Sequence, residues 1–394
     1  MEEAQEKEMD NVASFKAGHS FTVAGKQYYD TSQSINLLVS SNRYGHVFYA
    51  TQNKGLAILP SSYIDKNSKH LTKTLEETVD ADDTANNDNV SDENDIYYAP
   101  FMSTNNSYVP IWLALNSDET ILSVLLSDEN NWMIILYDVI KLIQMIDNST
   151  LCSMSFSDSV GGTIHSLAWN PVINNLFALM DGSGSVYTYE YDTNIKTIKN
   201  SGKSEQNEDN ACLCWSPKGK HLVVANYDGS IQLYETNMKL GNAYPTANPN
   251  SSAICVNILW LSAKTFLFGY CNSDIDDTEN NLDNNEENFY LLSATYEKHK
   301  NTSKILIYND LFFDVDSSSS DIQGRYFFSS ITDWKVIFCG LTKSAKVNVL
   351  GGNELSPPID RAFEGLQNGY LFYVPTYKDL KLKKLFFGLQ CNED

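Results

Sequence analysis

Short apolar runs alternate with turn-forming residues along most of the chain, and residues 211–235 show the pattern most clearly. This stretch reads ACLCWSPKGKHLVVANYDGSIQLYE. Its three apolar runs are residues 211–215, 221–225 and 230–234. Pro217 and Gly219 mark the first junction, and Asp228-Gly229 at the second junction is a strong hairpin signal. The pattern predicts three antiparallel strands, and such a meander must stack on similar units because it cannot bury both faces alone.

Similar meanders recur along the chain at a regular interval. The predicted units are residues 35–60, 111–139, 164–190, 211–235, 254–297 and 324–350. Trp169 and Trp215 are 46 residues apart, and Trp260 follows after another 45. This interval is typical of the four-stranded blade of a β-propeller, whose repeats span about 40 to 50 residues.

Two further segments complete the predicted architecture. Residues 364–378 contain a strand-like piece, and residues 11–23 form an apolar-alternating piece with no neighbour to pair with. We expect the two to form one blade together, since propellers protect their open edge by combining the two termini. The sequence therefore predicts an all-β fold, a single WD40-like β-propeller over residues 1–394. It has seven blades, the last of them incomplete and closed by the N-terminal strand.

The composition is strongly acidic. Lys and Arg total 28 against 50 Asp and Glu, which gives a formal net charge of −22. Such a surface repels phosphate backbones, so the charge argues against direct nucleic-acid binding and favours a basic protein partner. Much of the acid lies in residues 61–96, predicted to be a solvated acidic insertion. No run of 18 apolar residues is present, and the most apolar window, residues 132–146, predicts a buried strand followed by a short amphipathic turn.

The sequence offers little for catalysis. It contains no phosphate-binding loop, nucleophile elbow or His-Glu-x-x-His motif, and its 6 His are scattered. The 7 Cys have no Cys-x-x-Cys spacing, which indicates a reducing compartment. Cys212 and Cys214 face the same side of one predicted strand, where core packing is favoured over a metal site. We therefore expect no enzyme activity, no cofactor and no metal.

Four phrases carry a resemblance to a known family. They are VSSNRYGHVFYATQNKGLAILP, IHSLAWNPVINNLFALMDGSGSV, CLCWSPKGKHLVVANYDGSIQLY and SSITDWKVIFCGLTKSAKVNVLG, in this order. Over about residues 35–351 the chain resembles the N-terminal propeller of the cytoplasmic-filament nucleoporin that docks the DEAD-box RNA helicase of mRNA export. The resemblance implies a nuclear pore component at the cytoplasmic face with the helicase and other nucleoporins as partners. It also implies a helicase contact that competes with RNA. The family's Phe-Gly repeats are absent from this chain, and residues after Gly351 match poorly.

The resemblance implies a basic helicase surface, so we expect its contact to lie on acidic loops. The strongest candidate is residues 309–316, NDLFFDVD, which reads as an apolar centre with a charged rim outside the strand pattern. The predicted partner-binding residues are Asp274, Asp276, Asp277, Asp310, Phe312, Phe313, Asp314 and Asp316. Two alternatives stay open: these are solvated loops, or residues 309–316 form an edge strand whose Phe side chains are core. For function, the alternative is a generic WD-repeat scaffold for another complex.

Overall fold

Six antiparallel sheets of four strands each make up the described part of the computed structural model. The described residues are 36–51, 55–60, 97–101, 108–128, 131–156, 164–246, 253–261, 265–272, 289–299, 302–312, 326–331, 336–341, 346–351 and 367–373. Every sheet is a meander in which consecutive strands pair with each other.

The strands of the first three sheets have the following bounds. The first sheet contains β1 (Leu38–Ser41), β2 (His46–Thr51), β3 (Gly55–Pro60) and β4 (Tyr97–Ala99). The second contains β5 (Val109–Leu115), β6 (Ile121–Ser127), β7 (Trp132–Asp138) and β8 (Thr150–Phe156). The third contains β9 (Ile164–Trp169), β10 (Leu176–Asp181), β11 (Val186–Asp192) and β12 (Thr197–Lys203).

The last three sheets follow the same plan. The fourth contains β13 (Asn210–Trp215), β14 (His221–Asn226), β15 (Ile231–Glu235) and β16 (Leu240–Tyr244). The fifth contains β17 (Ala253–Trp260), β18 (Thr265–Asn272), β19 (Phe289–His299) and β20 (Thr302–Phe312). The sixth contains β21 (Tyr326–Ile331), β22 (Val336–Leu341), β23 (Lys346–Gly351) and β24 (Gln367–Tyr373).

The turn residues of the fourth sheet act as the sequence predicts. The amide of Gly219 donates to Ser216 O at 2.8 Å, and the amide of Gly229 donates to Asn226 O at 2.8 Å. Both glycines adopt positive φ, 67° and 82°, a region that side chains with a Cβ rarely occupy. A Cβ on Gly229 would also lie 2.0 Å from the Tyr270 hydroxyl of the next sheet. The Asp-Gly turn is therefore required both by the hairpin and by its neighbour.

Successive sheets are held together by apolar packing that follows the alternation of strand residues. On β6, Val124 packs in one cluster with Phe48 of the first sheet, whereas Leu125 packs in another with Phe177 of the third. This is the period-2 alternation of a strand buried on both faces. The first strands of successive sheets contact one another, from β1 through β5, β9, β13 and β17 to β21. The first strands therefore line the inside of the assembly, and the fourth strands lie at its perimeter.

The regularly spaced tryptophans join one sheet to the sheet before it. Trp169 Nε1 donates to Ser123 Oγ of the second sheet at 3.0 Å. Trp215 Nε1 donates to Ala168 O of the third sheet at 3.0 Å. Both indoles are buried, where an unpaired donor would be costly. The tryptophan repeat therefore marks the seams between neighbouring blades.

The fourth strands were missing from the predicted units, and this changes how two segments are assigned. In the first sheet, the fourth strand β4 lies beyond residues 61–96, so that insertion joins the third and fourth strands of one blade. In the sixth sheet, β24 pairs with β23, so the assignment of residues 364–378 to a seventh blade is wrong. Residues 11–23 and 61–96 lie outside the described residues. The all-β propeller fold is confirmed, while the count of seven blades and the closure of the last one stay predictions.

The apolar window at residues 132–146 forms the predicted strand and short turn. Strand β7 is followed by one helical turn, α1 (Val139–Ile143), with Asp138 as its N-cap; the Asp138 carboxylate accepts from the Lys141 amide at 3.2 Å. Val139 and Leu142 are buried, which gives the turn one apolar side. None of the helices in the described part of the chain has the length and apolar character needed to cross a membrane.

Candidate partner-binding face

The meander topology gives the assembly two faces with different loops. The lower face carries the turns after the first and third strands of each sheet, and its described turns are residues 42–45, 116–120, 139–149, 170–175, 193–196, 216–220 and 236–239. The upper face carries the turns after the second strands and the connections between sheets. Its described loops are residues 182–185, 204–209, 227–230 and 245–246.

Two of the eight predicted partner-binding residues lie in the described residues, and both are in a strand. Asp310 and Phe312 belong to β20, where they pair with Leu292 and Tyr290. The prediction that this segment lies outside the strand pattern is therefore wrong up to Phe312, because the long strand β19 pairs with it along its whole length. Six predicted residues lie outside the described residues: Asp274, Asp276, Asp277, Phe313, Asp314 and Asp316.

The strand ends that bound the predicted acidic segments lie together. Strand β18 ends and β19 begins at a pairing of Cys271 with Phe289, and β20 ends where Phe312 pairs with Tyr290. The connections at 273–288 and 313–325 therefore both leave from the upper edge of the fifth sheet. The two groups of acidic residues that the sequence singles out attach to the same corner of the molecule.

Sequence reasoning missed four exposed acidic residues on the same face. Glu205, Glu208 and Asp209 lie on the connection from the third to the fourth sheet, and Asp228 lies in the Asp-Gly turn of the fourth sheet. Their common face follows once each sheet is known to have four strands, since connections between sheets and second-strand turns then emerge on one side. Tyr227 beside them has 38% of its surface exposed.

Hydrogen bonds fix these acidic loops to one another. The Tyr227 amide donates to Asp209 O at 2.8 Å, and Tyr227 O accepts from the Cys255 amide at 2.6 Å. The Asp228 carboxylate accepts from the Ser230 amide at 2.8 Å. Two loops and the first strand of the fifth sheet are thus joined through Tyr227. A surface held in this way presents its charges on an ordered backbone, which lowers the ordering cost of binding.

The two faces differ in charge. On the described upper-face loops and adjoining strand ends, the exposed acids Glu205, Glu208, Asp209 and Asp228 are accompanied by one exposed cation, Lys203. On the lower face, acids such as Asp118 and Glu235 are interleaved with cations, which are Arg43, Lys141, Lys196, Lys218, Lys220 and Lys239. The upper face is therefore the one suited to a basic partner.

The cysteines pack as core. Cys212 and Cys255 are buried between the fourth and fifth sheets, and Cys214 packs against the same cluster, as the sequence predicted. Burial raises the pKa of the Cys214 thiol to about 11. No group of three or more His, Cys, Asp or Glu within the described residues is arranged to hold a metal ion.

Six meander sheets, seams joined by tryptophans and inward-facing first strands define a β-propeller. Residues 74–360 match the family model described as NUP159/214 beta propeller, and the chain belongs to this family. This confirms the resemblance found in the sequence.

Individual relatives are distant and much longer. The human nuclear pore complex protein Nup214 is 23% identical over 194 residues, 48% of this chain and 9% of the relative. The protein of the same name from Drosophila melanogaster is 21% identical over 257 residues, 62% of this chain and 14% of the relative. Among solved structures, Saccharomyces cerevisiae Sqt1 superposes with a TM-score of 0.50 at 11% identity, covering 88% of this chain and 77% of that one. The last likeness concerns the fold alone.

Proposed function

We propose that this chain is the docking propeller of a nuclear pore complex component at the cytoplasmic face of the pore. In this proposal it binds the DEAD-box RNA helicase of mRNA export, competes with RNA for it and so promotes export. Membership of the NUP159/214 family supports the assignment to the pore. The acidic upper face is the observation that carries the helicase contact.

The proposed contact combines two parts of the upper face. The first is the fixed acidic surface of residues 204–209 and 227–230. The second is the corner of the fifth sheet, with Asp310, Phe312 and the attached residues Asp274, Asp276, Asp277, Phe313, Asp314 and Asp316. Carboxylates within a Debye length of about 8 to 10 Å of a basic surface steer association and fix its orientation. The binding should therefore be sensitive to salt.

Charge reversal on each face tests the proposal. The variant Glu208→Lys/Asp209→Lys turns two upper-face acids into cations, and neither acidic side chain has a described hydrogen bond. Its affinity for the helicase should fall about tenfold or more at low salt. In the matched control Glu190→Lys/Glu235→Lys, the same charge change sits at the lower face and should leave affinity within about twofold.

Titration of the RNA-free helicase against each variant, at several salt concentrations, gives the result directly. Binding by the unaltered chain should have a Kd between nanomolar and micromolar and should weaken as salt rises. If the unaltered chain does not bind the helicase even at low salt, the helicase proposal is wrong and a scaffold for another complex takes its place.

A further inference from the structure

A cavity of about 590 Å³ opens at the perimeter between the first and second sheets. One wall is Tyr97 and residues 99–101, at and after the short outer strand β4. The other wall is residues 146–153, which run from the lower-face connection into the outer strand β8. Tyr137 of β7 forms the floor. We call this cavity the perimeter groove.

The groove has a mixed apolar and polar lining, and a buried tyrosine forms its floor. Phe101 and Leu151 are half-buried, and Ile146 is 46% exposed at the rim. Tyr137 is 2% exposed. Burial raises its pKa, and a hydrogen bond with the Thr150 side chain only partly offsets this rise. The hydroxyl oxygen is itself buried, so it is not open to a ligand in the groove.

The seam between the third and fourth sheets shows what fills the same place elsewhere. There Met238 lies two residues before the fourth strand of its sheet, has a φ of 64° and is only 5% exposed. Its side chain packs so close to β12 that a Cβ on Gly202 would lie 3.0 Å from Met238 Cγ. A methionine thus closes this seam from the turn after the third strand.

Asn148 holds the equivalent position in the second sheet. It has the same φ of 64°, and the residue after it closes the turn in the same way, with Ser149 O accepting from Asp138 N as Lys239 O accepts from Glu235 N. Asn148 is nevertheless exposed and lines the groove rather than filling it. Among the described residues, the second sheet therefore places no apolar side chain where Met238 lies in the other seam.

We propose that the perimeter groove binds a short segment of a partner protein, which inserts an unbranched apolar or aromatic side chain where Met238 lies in the other seam. The segment carries basic residues beside this anchor, because the exposed Asp147 lies at the groove and the chain has a net charge of −22. This site is separate from the acidic upper face.

Selection from a randomised seven-residue peptide library displayed on phage tests the site with the full chain as bait. The groove is closed in Asn148→Met, which copies the other seam. Lys196→Met is the matched control, since Lys196 also precedes a fourth strand with positive φ, in the third sheet. Peptides with an apolar anchor and basic neighbours should be enriched on the unaltered chain and on Lys196→Met. Binding to Asn148→Met should be at least tenfold weaker.

Two further measurements keep the result independent of folding. Cys152 lines the groove, so an enriched peptide should slow its alkylation by iodoacetamide at least fivefold. Asp147→Asn, which removes the exposed charge at the groove, should weaken the peptide about three- to tenfold with no loss of thermal stability. The proposal is overturned if no peptide is enriched, if the enriched peptides carry acidic rather than basic neighbours, or if they bind Asn148→Met equally well.

Discussion

Two seams between neighbouring sheets differ at one turn position. The seam between the third and fourth sheets is closed at the perimeter, whereas the seam between the first and second sheets is open there. Between the third and fourth sheets, Met238 fills the perimeter and Trp215 Nε1 bonds to Ala168 O at 3.0 Å inside. Between the first and second sheets, a buried apolar cluster also packs inside, but Asn148 is exposed and lines a cavity of about 590 Å³ at the perimeter. The inner contacts join neighbouring sheets in both seams, whereas the perimeter is filled in one seam and open in the other.

The largest effect should follow from breaking the inner joint of the closed seam. In Trp215→Ala the fold loses a buried indole and the hydrogen bond that its Nε1 donates to Ala168 O. We expect the free energy of unfolding to fall by about 3–5 kcal/mol. Denaturant unfolding monitored by circular dichroism measures it, and a loss below about 1 kcal/mol would show that the tryptophan is not the joint we describe.

Opening the closed seam at the perimeter should cost less. In Met238→Ala a buried side chain leaves a cavity beside Gly202, and the free energy of unfolding should fall by about 2–4 kcal/mol. Met145→Ala is the matched control, because Met145 is 59% exposed and should change stability by no more than about 0.5 kcal/mol. Equal losses in the two variants would contradict the distinction between the seams.

Closing the open seam should instead raise the stability of the protein. In Asn148→Met the new side chain covers the groove walls, which should raise the free energy of unfolding by about 0.5–2 kcal/mol. Lys196→Met, at the same turn position of the third sheet, should raise the free energy of unfolding by less. Chemical unfolding of both variants compares them, and a destabilised Asn148→Met would mean that the groove cannot accommodate a methionine.

The smallest effect should come from the floor of the groove. In Tyr137→Phe a buried hydroxyl and its hydrogen bond with the Thr150 side chain are lost, so the free energy of unfolding should fall by no more than about 1 kcal/mol. A loss above about 2 kcal/mol in thermal unfolding would show that the hydroxyl contributes more than one ordinary hydrogen bond.

The first three strands of each sheet could be predicted because their turns are chemically distinct. Asp228-Gly229 and Pro217 separate runs of apolar residues that are buried on both faces, and these runs are easily recognised. The fourth strands lie at the perimeter and expose most of their residues. Strand β12, TIKNSGK, has no apolar pattern to distinguish it from a loop. Pairing with the third strand, a tertiary effect, makes it a strand.

For the candidate face, the sequence predicted only the sign of its charge. Net charge indicated a basic partner, and two acidic segments were chosen from composition. The exposed acids at Glu208, Asp209 and Asp228 were missed because their common face depends on the alternation of turns through complete four-stranded sheets. The perimeter groove could not be foreseen at all, since it depends on whether Asn148 or a methionine occupies one turn position.

Hydrogen–deuterium exchange of this chain with and without the DEAD-box helicase tests the central claim most directly. The account predicts slower exchange on binding in the upper-face loops at residues 204–209 and 227–230, with unchanged exchange in the lower-face turns at 216–220 and 236–239. Protection of the lower-face turns alone, or of neither set in a sample where binding is saturated, would contradict it.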